Sequence, residues 1–150
     1  MKFRFLWPGK TRNKHLLALE KDFYTRLSRF IKCEVLEIKP GEGENSAAAE
    51  SQRFLKFLNP NTFVVVLSEK GQQTNSPGLA EKIKEWENKS LKEITFVIGG
   101  AEGVSPEIVE SADYLLSLSF LTFTHEMARV LLLEQLYRAY SILKGLPYQK

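Results

Sequence analysis

The sequence predicts an α/β fold, a mostly parallel sheet flanked by helices, and three observations predict it. TFVVVL at 62–67 has the unbroken β-branched character of a strand buried on both faces, EITFVI at 93–98 reads as the next buried strand, and YLLSLS at 114–119 as the last strand. Between them the apolar period switches to that of a helix. The two kinds of segment alternate strictly, strand then helix five times over, which calls for parallel pairing through crossover helices. With 150 residues, 43% hydrophobic and 26% charged, the chain has the material for one domain, spanning 1–150, with a real core.

The first strand is KFRFLW at 2–7, with Phe3, Phe5 and Trp7 alternating onto one side before Pro8-Gly9 breaks it. From Lys10 to Lys32 the pattern is helical: Leu16, Phe23, Leu27, Phe30 and Ile31 share one arc, and Lys10, Lys14, Lys21 and Lys32 the opposite one, with Arg29 beside them. CEVLEI at 33–38 is the second strand, and PGEGENS a loop. AAAESQRFLKFL is a short helix that Asn59-Pro60 stops. The third strand, 62–67, runs into the polar loop SEKG-QQTNSPG, followed by a helix over 79–89. The fourth strand ends in the glycine turn GGAEG at 99–103. Ser105 and Pro106 then open a short helix as N-cap and first residue. The fifth strand leads through a serine-rich turn to Thr124, which caps the last helix.

That last helix carries two apolar faces. Ala128, Leu132, Leu136, Ala139 and Leu143 form a stripe suited to docking on the sheet. Met127, Val130, Leu131 and Tyr137, mixed with Glu134, Gln135 and Arg138, suit an interface with a second copy in a symmetric dimer.

Composition removes several functions. Cys33 is the only cysteine, so disulfide scaffolds and cysteine-ligated metals are out. His125-Glu126 begins the zinc-protease pattern H-E-x-x-H, but Arg129 stands where the second histidine belongs, and no metal is expected. No apolar run approaches a signal or membrane segment, so a cytoplasmic location is expected. The glycines at 99, 100 and 103 do not make the dinucleotide fingerprint, and there is no P-loop. Residues 1–32 hold nine Lys/Arg against two acids, a net +7 in a chain of net +3, which leaves −4 for the rest. Such a basic segment suits a polyanion or a solvated helix face, and its clustering on one arc favours nucleic acid.

In parallel sheets ligands bind beyond the carboxyl ends of the strands, where Leu67, Gly99 and Leu118 fall. The glycine turn and the hydroxyl residues Ser117, Ser119 and Thr122 can present backbone groups to a flat, polar heterocycle such as adenine. No nucleophile–histidine–acid set or recognisable carboxylate pair is present. Methyl transfer from a sulfonium donor fits, because positioning supplies much of its rate.

The segments IGGAEG, SLSFLTFTHEMARVLLLEQLYRAYSILKGLPY and the opening KFRFLWPGK resemble the RlmH family of SPOUT-class RNA methyltransferases over essentially the whole chain. The resemblance implies a homodimer with a C-terminal deep trefoil knot. It also implies transfer of a methyl group from S-adenosylmethionine to N3 of a pseudouridine in large-subunit (23S) rRNA, within the assembled ribosome. It places cofactor contacts at Leu67, Gly99, Gly100, Gly103, Leu118, Ser119, Phe120, Leu121, Thr122 and Phe123. RNA contacts are expected at Lys10, Lys14, Lys21 and Arg29. Arg129 is expected to face the RNA or the reacting base, with the tail residues Tyr148, Gln149 and Lys150 positioning or deprotonating the target. A composite site would borrow its tail or basic helix from the partner copy. Three positions depart from the family pattern: Gln149 for histidine, Glu126 for glutamine and Ser68 for aspartate. A glutamine cannot act as a base near neutral pH, so a non-catalytic ribosome-binding protein of the same fold is the alternative.

Overall fold

A computed structural model describes residues 1–149; the side chain of Gln149 and all of Lys150 lie outside the described residues. Five strands, β1 (Lys2–Pro8), β2 (Lys32–Ile38), β3 (Phe63–Gln73), β4 (Glu93–Val97) and β5 (Tyr114–Ser117), form one sheet in the order β2-β1-β4-β3-β5. Every adjacent pair is parallel, so the mostly parallel sheet expected from the alternation is wholly parallel. The crossovers are α1 (Lys14–Leu27), α2 (Ser46–Phe57), α3 (Ser76–Asn88) and α4 (Pro106–Glu110), and α5 (His125–Leu143) follows β5.

The period-two pattern of β1 sorts its side chains between two cores. Phe3, Phe5 and Trp7 join Phe96, Ile83, Trp86, Leu132 and Leu136 under α1, α3 and α5. Leu6 points the other way, to Val64, Val66, Phe54 and Ile108 under α2 and α4. The result is a three-layer sandwich whose larger core is aromatic, with Phe5 stacked on Phe96 at 5.6 Å between ring centroids.

Two helices differ from their expected limits for local reasons. The segment Lys10–Lys32 is helical only over Lys14–Leu27. Asn13 Oδ1 accepts from the N–H groups of His15 and Leu16, which fixes the start. After Leu27 the chain turns, and Lys32 already pairs with Lys2 as a strand. Lys10 and Arg29 therefore flank α1 rather than riding on it. By contrast α3 begins at Ser76, before the expected Leu79, because Asn75 caps it through the Gly78 N–H and Pro77 sits where no donor is required.

β3 holds the least expected feature. It pairs with β5 at Leu67↔Leu116 and again at Gln72↔Leu116, with a shift of register between them. Gly71 lies so close to the β5 backbone that a Cβ there would be 2.6 Å from the Leu115 oxygen. Ser117 Oγ donates to the Glu69 carbonyl in the same crossing.

On α5 the docking stripe is as expected at Leu132, Leu136 and Ala139, all fully buried. The second face is divided. Val130 is buried, and Tyr137 packs on Phe23 and Phe30 of the same chain. Met127 stays exposed and Leu131 half-buried, which leaves less apolar surface for a partner than the sequence pattern alone implies.

Candidate active site

The carboxyl ends of β4 and β5 flank β3 near its register shift at Leu67, and a cavity of about 580 Å³ opens there. That is within the range of small-molecule sites. Leu67, Gly99, Gly100, Gly103, Leu118, Ser119, Leu121, Thr122 and Phe123 all line it. Phe120 does not, and it is 73% exposed. Ser68, Glu69, Ile98, Ala101, Glu102, Thr124, His125 and Ala128 complete the lining and were not assigned from the sequence. Spatial order is the signal that finds them, since Ser68 and Glu69 continue β3 past Leu67 while His125 and Ala128 lie in the first turn of α5.

One wall is the glycine turn. Gly103 N–H donates to the Gly100 carbonyl, and a Cβ on Gly99 would collide with the Gly103 carbonyl group. The other wall is the segment 118–124, where the hydroxyls serve the turn itself. Ser117 Oγ donates to the Ser119 carbonyl at 3.0 Å, and Ser119 Oγ accepts from Leu121 N–H at 3.0 Å. The hydroxyls of Ser117 and Ser119 thus hold the backbone of the turn in place. Thr124 Oγ1 accepts from the Met127 N–H to start α5.

Arg129 corrects the sequence reading. It is fully buried, and its guanidinium donates to the carbonyls of Pro8 and Gly9 and to Thr11 Oγ1, lying 5.0 Å over the Trp7 ring. Thr11 in turn hydrogen-bonds the buried carboxyl of Glu20. The Arg129 side chain therefore faces β1 and α1, not a substrate, because those carbonyls end a strand and need donors. It is a positioning residue that fixes α5 over the sheet. Burial, the largest influence, raises Glu20 above the usual carboxylate range, against the opposing pull of Thr11 and Arg129.

Glu126 has a similar task. Its carboxylate accepts from the backbone N–H groups of Arg12 and Asn13, both at 3.0 Å, and so ties the Lys10–Asn13 turn to the first turn of α5. Burial works to raise its pKa, but the two backbone donors outweigh it and hold it below the usual range. Lys10, Lys14, Lys21 and Arg29 are all exposed, and none forms an ion pair among the described residues. The tie brings the Arg12–Asn13 backbone to Glu126, the neighbour of the cavity residue His125. Burial first, then Arg129, lowers the His125 pKa, which keeps the imidazole neutral near pH 7.

Tyr148 is not brought to the cavity of its own chain. Its hydroxyl donates to Glu134 Oε1 at 3.0 Å, its ring meets Tyr137 edge-on at 4.7 Å, and Arg138 lies 4.8 Å over it. Those contacts sit more than a helical turn beyond His125 and Ala128, which line the cavity. The expected roles of the Gln149 side chain and of Lys150 lie outside the described residues.

Burial pushes the Cys33 thiol up to about 11, too high for a ready nucleophile. Among the described residues no group of three or more His, Cys, Asp or Glu is placed to hold a metal ion, and no helix is long and apolar enough to cross a membrane.

Known proteins resemble this chain over its whole length. Residues 1–149 match the family model described as "Predicted SPOUT methyltransferase". The chain is 38% identical over 159 residues to the ribosomal RNA large subunit methyltransferase H of Halothermothrix orenii, covering 100% of both chains. It is 39% identical over 151 residues to the protein of the same name from Trichlorobacter lovleyi, covering 99% of each. A solved structure, "a probable methylase family protein" from Haemophilus influenzae, superposes with a TM-score of 0.59 at 14% identity, covering 99% of this chain and 70% of that one, and so shares the fold. With a parallel sheet, a cavity at its carboxyl edge and a full-length match to the family, the chain belongs to the SPOUT methyltransferases.

Proposed function

We propose that the chain transfers a methyl group from S-adenosylmethionine to N3 of a pseudouridine in large-subunit (23S) ribosomal RNA, acting on the assembled ribosome in the cytoplasm. The observation that carries this reading is the cavity at the ends of β4 and β5, beside Leu67 of β3, walled by the glycine turn and the 118–124 segment, in a chain whose full-length relatives are named for methylation of that RNA. The residues fit the donor. Gly99 and Gly100 bring bare backbone to the cavity wall, and Leu67, Leu118 and Leu121 give it apolar surface. The donor supplies an activated methyl group; the chain supplies position, a water-poor wall and neutral His125 at the rim.

The active form is a homodimer. Exposed Phe120, Leu121, Phe123 and Met127, on the rim and the first turn of α5, support a partner surface there. Tyr148 stands away from its own cavity, which supports a composite site completed by the partner's tail. The double pairing of β3 with β5, and the close crossing at Gly71, support a chain threaded as a deep trefoil knot. Lys10, Lys14, Lys21 and Arg29 supply cations for RNA phosphates. The non-catalytic alternative is not favoured, since the relatives cited are named as methyltransferases.

The test is transfer of labelled methyl to ribosomes that lack the modification, with the modified nucleotide mapped afterwards. Label at a large-subunit pseudouridine is the expected result; ribosome and cofactor binding without label would reassign the protein as a binder.

A further inference from the structure

We infer that Glu50, a buried acidic side chain packed against Gly100 of the glycine turn, makes the cavity select a cationic ligand. It favours the sulfonium donor over the neutral thioether left after methyl transfer. This rests on the cofactor reading of the cavity and adds a specificity-determining residue to it.

Glu50 lies on α2 and is 3% exposed. Oε2 accepts from the Gly41 N–H at 2.9 Å, while Oε1 has no partner. Among the described residues no Lys or Arg comes within ion-pair distance of it. The other buried side-chain atoms without partners are the N–H groups of Arg4, Trp7 and Arg129, so Glu50 Oε1 is the only orphaned acceptor among them. An unpaired buried carboxylate is costly and asks for a reason.

Its position supplies one. A Cβ on Gly100 would be 3.0 Å from both carboxylate oxygens. Any side chain there would press on the carboxylate. Glycine lets it lie against the backbone whose other surface lines the cavity. The charge also reaches that lining. Burial and Arg129 lower the pKa of His125, while Glu126 and Glu50 pull it upward. Glu69 and Glu102 stand on the wall too, but they are exposed and solvent screens them. Glu50 sits in poorly polarisable surroundings, where a charge keeps its field over several ångströms. The sulfonium carries one positive charge before transfer, and the thioether carries none at that atom. A field from Glu50 therefore holds the donor and loosens the product.

The test is calorimetric titration of S-adenosylmethionine, S-adenosylhomocysteine and sinefungin, whose amine replaces the sulfonium, into the parent and Glu50→Gln. The variant should lose about tenfold in affinity for the two cationic ligands and little for the thioether. A merely structural role would weaken all three alike, and that result, or an unchanged ratio, overturns the inference. If Glu50→Gln fails to fold, the double variant Glu69→Gln/Glu102→Gln decides: a retained preference for the cationic ligands supports Glu50, and its loss overturns it. Parent protein that binds none of the three sinks the cofactor reading itself. Binding with an indifferent Glu50→Gln sinks only the role of Glu50.

Discussion

The two walls of the cavity are built differently. The β4 side is fixed from behind: Val97 is fully buried, Ile98 is 5% exposed, and Gly99 lies against the Gly103 backbone. The 118–124 side is shaped from within by serine and threonine hydrogen bonds, and its apolar residues face water, with Phe120 and Leu121 each 73% exposed. One wall belongs to the core and exists without a ligand. The other has a defined backbone but side chains that gain from being covered, by ligand or by a second copy. The difference teaches which substitutions act through folding and which through binding.

The largest effect should come from breaking the support beneath the exposed wall. Arg129 joins α5 to the end of β1 through three hydrogen-bond acceptors. Arg129→Met leaves the Pro8 and Gly9 carbonyls without it and should cost about 3 kcal/mol in urea unfolding. Loss of catalysis with unchanged stability would instead return Arg129 to the reacting base.

A change on the exposed wall itself should do the reverse. Leu121→Ser should leave stability within about 0.5 kcal/mol of the parent, since the residue is on the surface. It should weaken cofactor binding by roughly tenfold, from the apolar area that a bound ligand would cover. A large fall in stability would show that this wall is as much core as the other.

The smallest effect is pH-dependent and lies at the junction of α5 with the basic turn. Glu126 has a depressed pKa, so its contribution is present above the unfolded-state value and is lost as pH falls through the folded one. Glu126→Gln should therefore cost about 1 kcal/mol at pH 7 and less at pH 3, read from unfolding at both. An equal cost at both pH values would mean that the carboxylate charge contributes nothing there.

The fixed wall was the legible one. Val64–Val66, Ile94–Val97 and the glycine turn announce buried strands and a close backbone through residue type alone, and strict alternation implies parallel pairing. Asn13, Asn75, Ser105 and Thr124 cap helices as such residues do, although the Asn13 and Asn75 caps lay inside segments read as helix and loop. Contacts distant in sequence were not legible. Arg129 with Pro8 and Glu126 with Arg12 join residues more than a hundred positions apart, and no local period carries that information. His125-Glu126-x-x-Arg129 looked like a broken metal motif; folded, it is a capping and anchoring segment. Glu50 was hidden for the same reason, since its meaning depends on Gly41 and Gly100 rather than on α2.

The most direct test of the cavity as the cofactor site is titration of S-adenosylmethionine into the parent and Gly99→Ala. A methyl at 99 meets the Gly103 backbone, so the turn must shift. Binding to the parent and a loss of about a hundredfold in Gly99→Ala, with the far-ultraviolet dichroism of the sheet retained, is the expected result. Equal affinity in the two proteins would place the cofactor elsewhere and contradict the account.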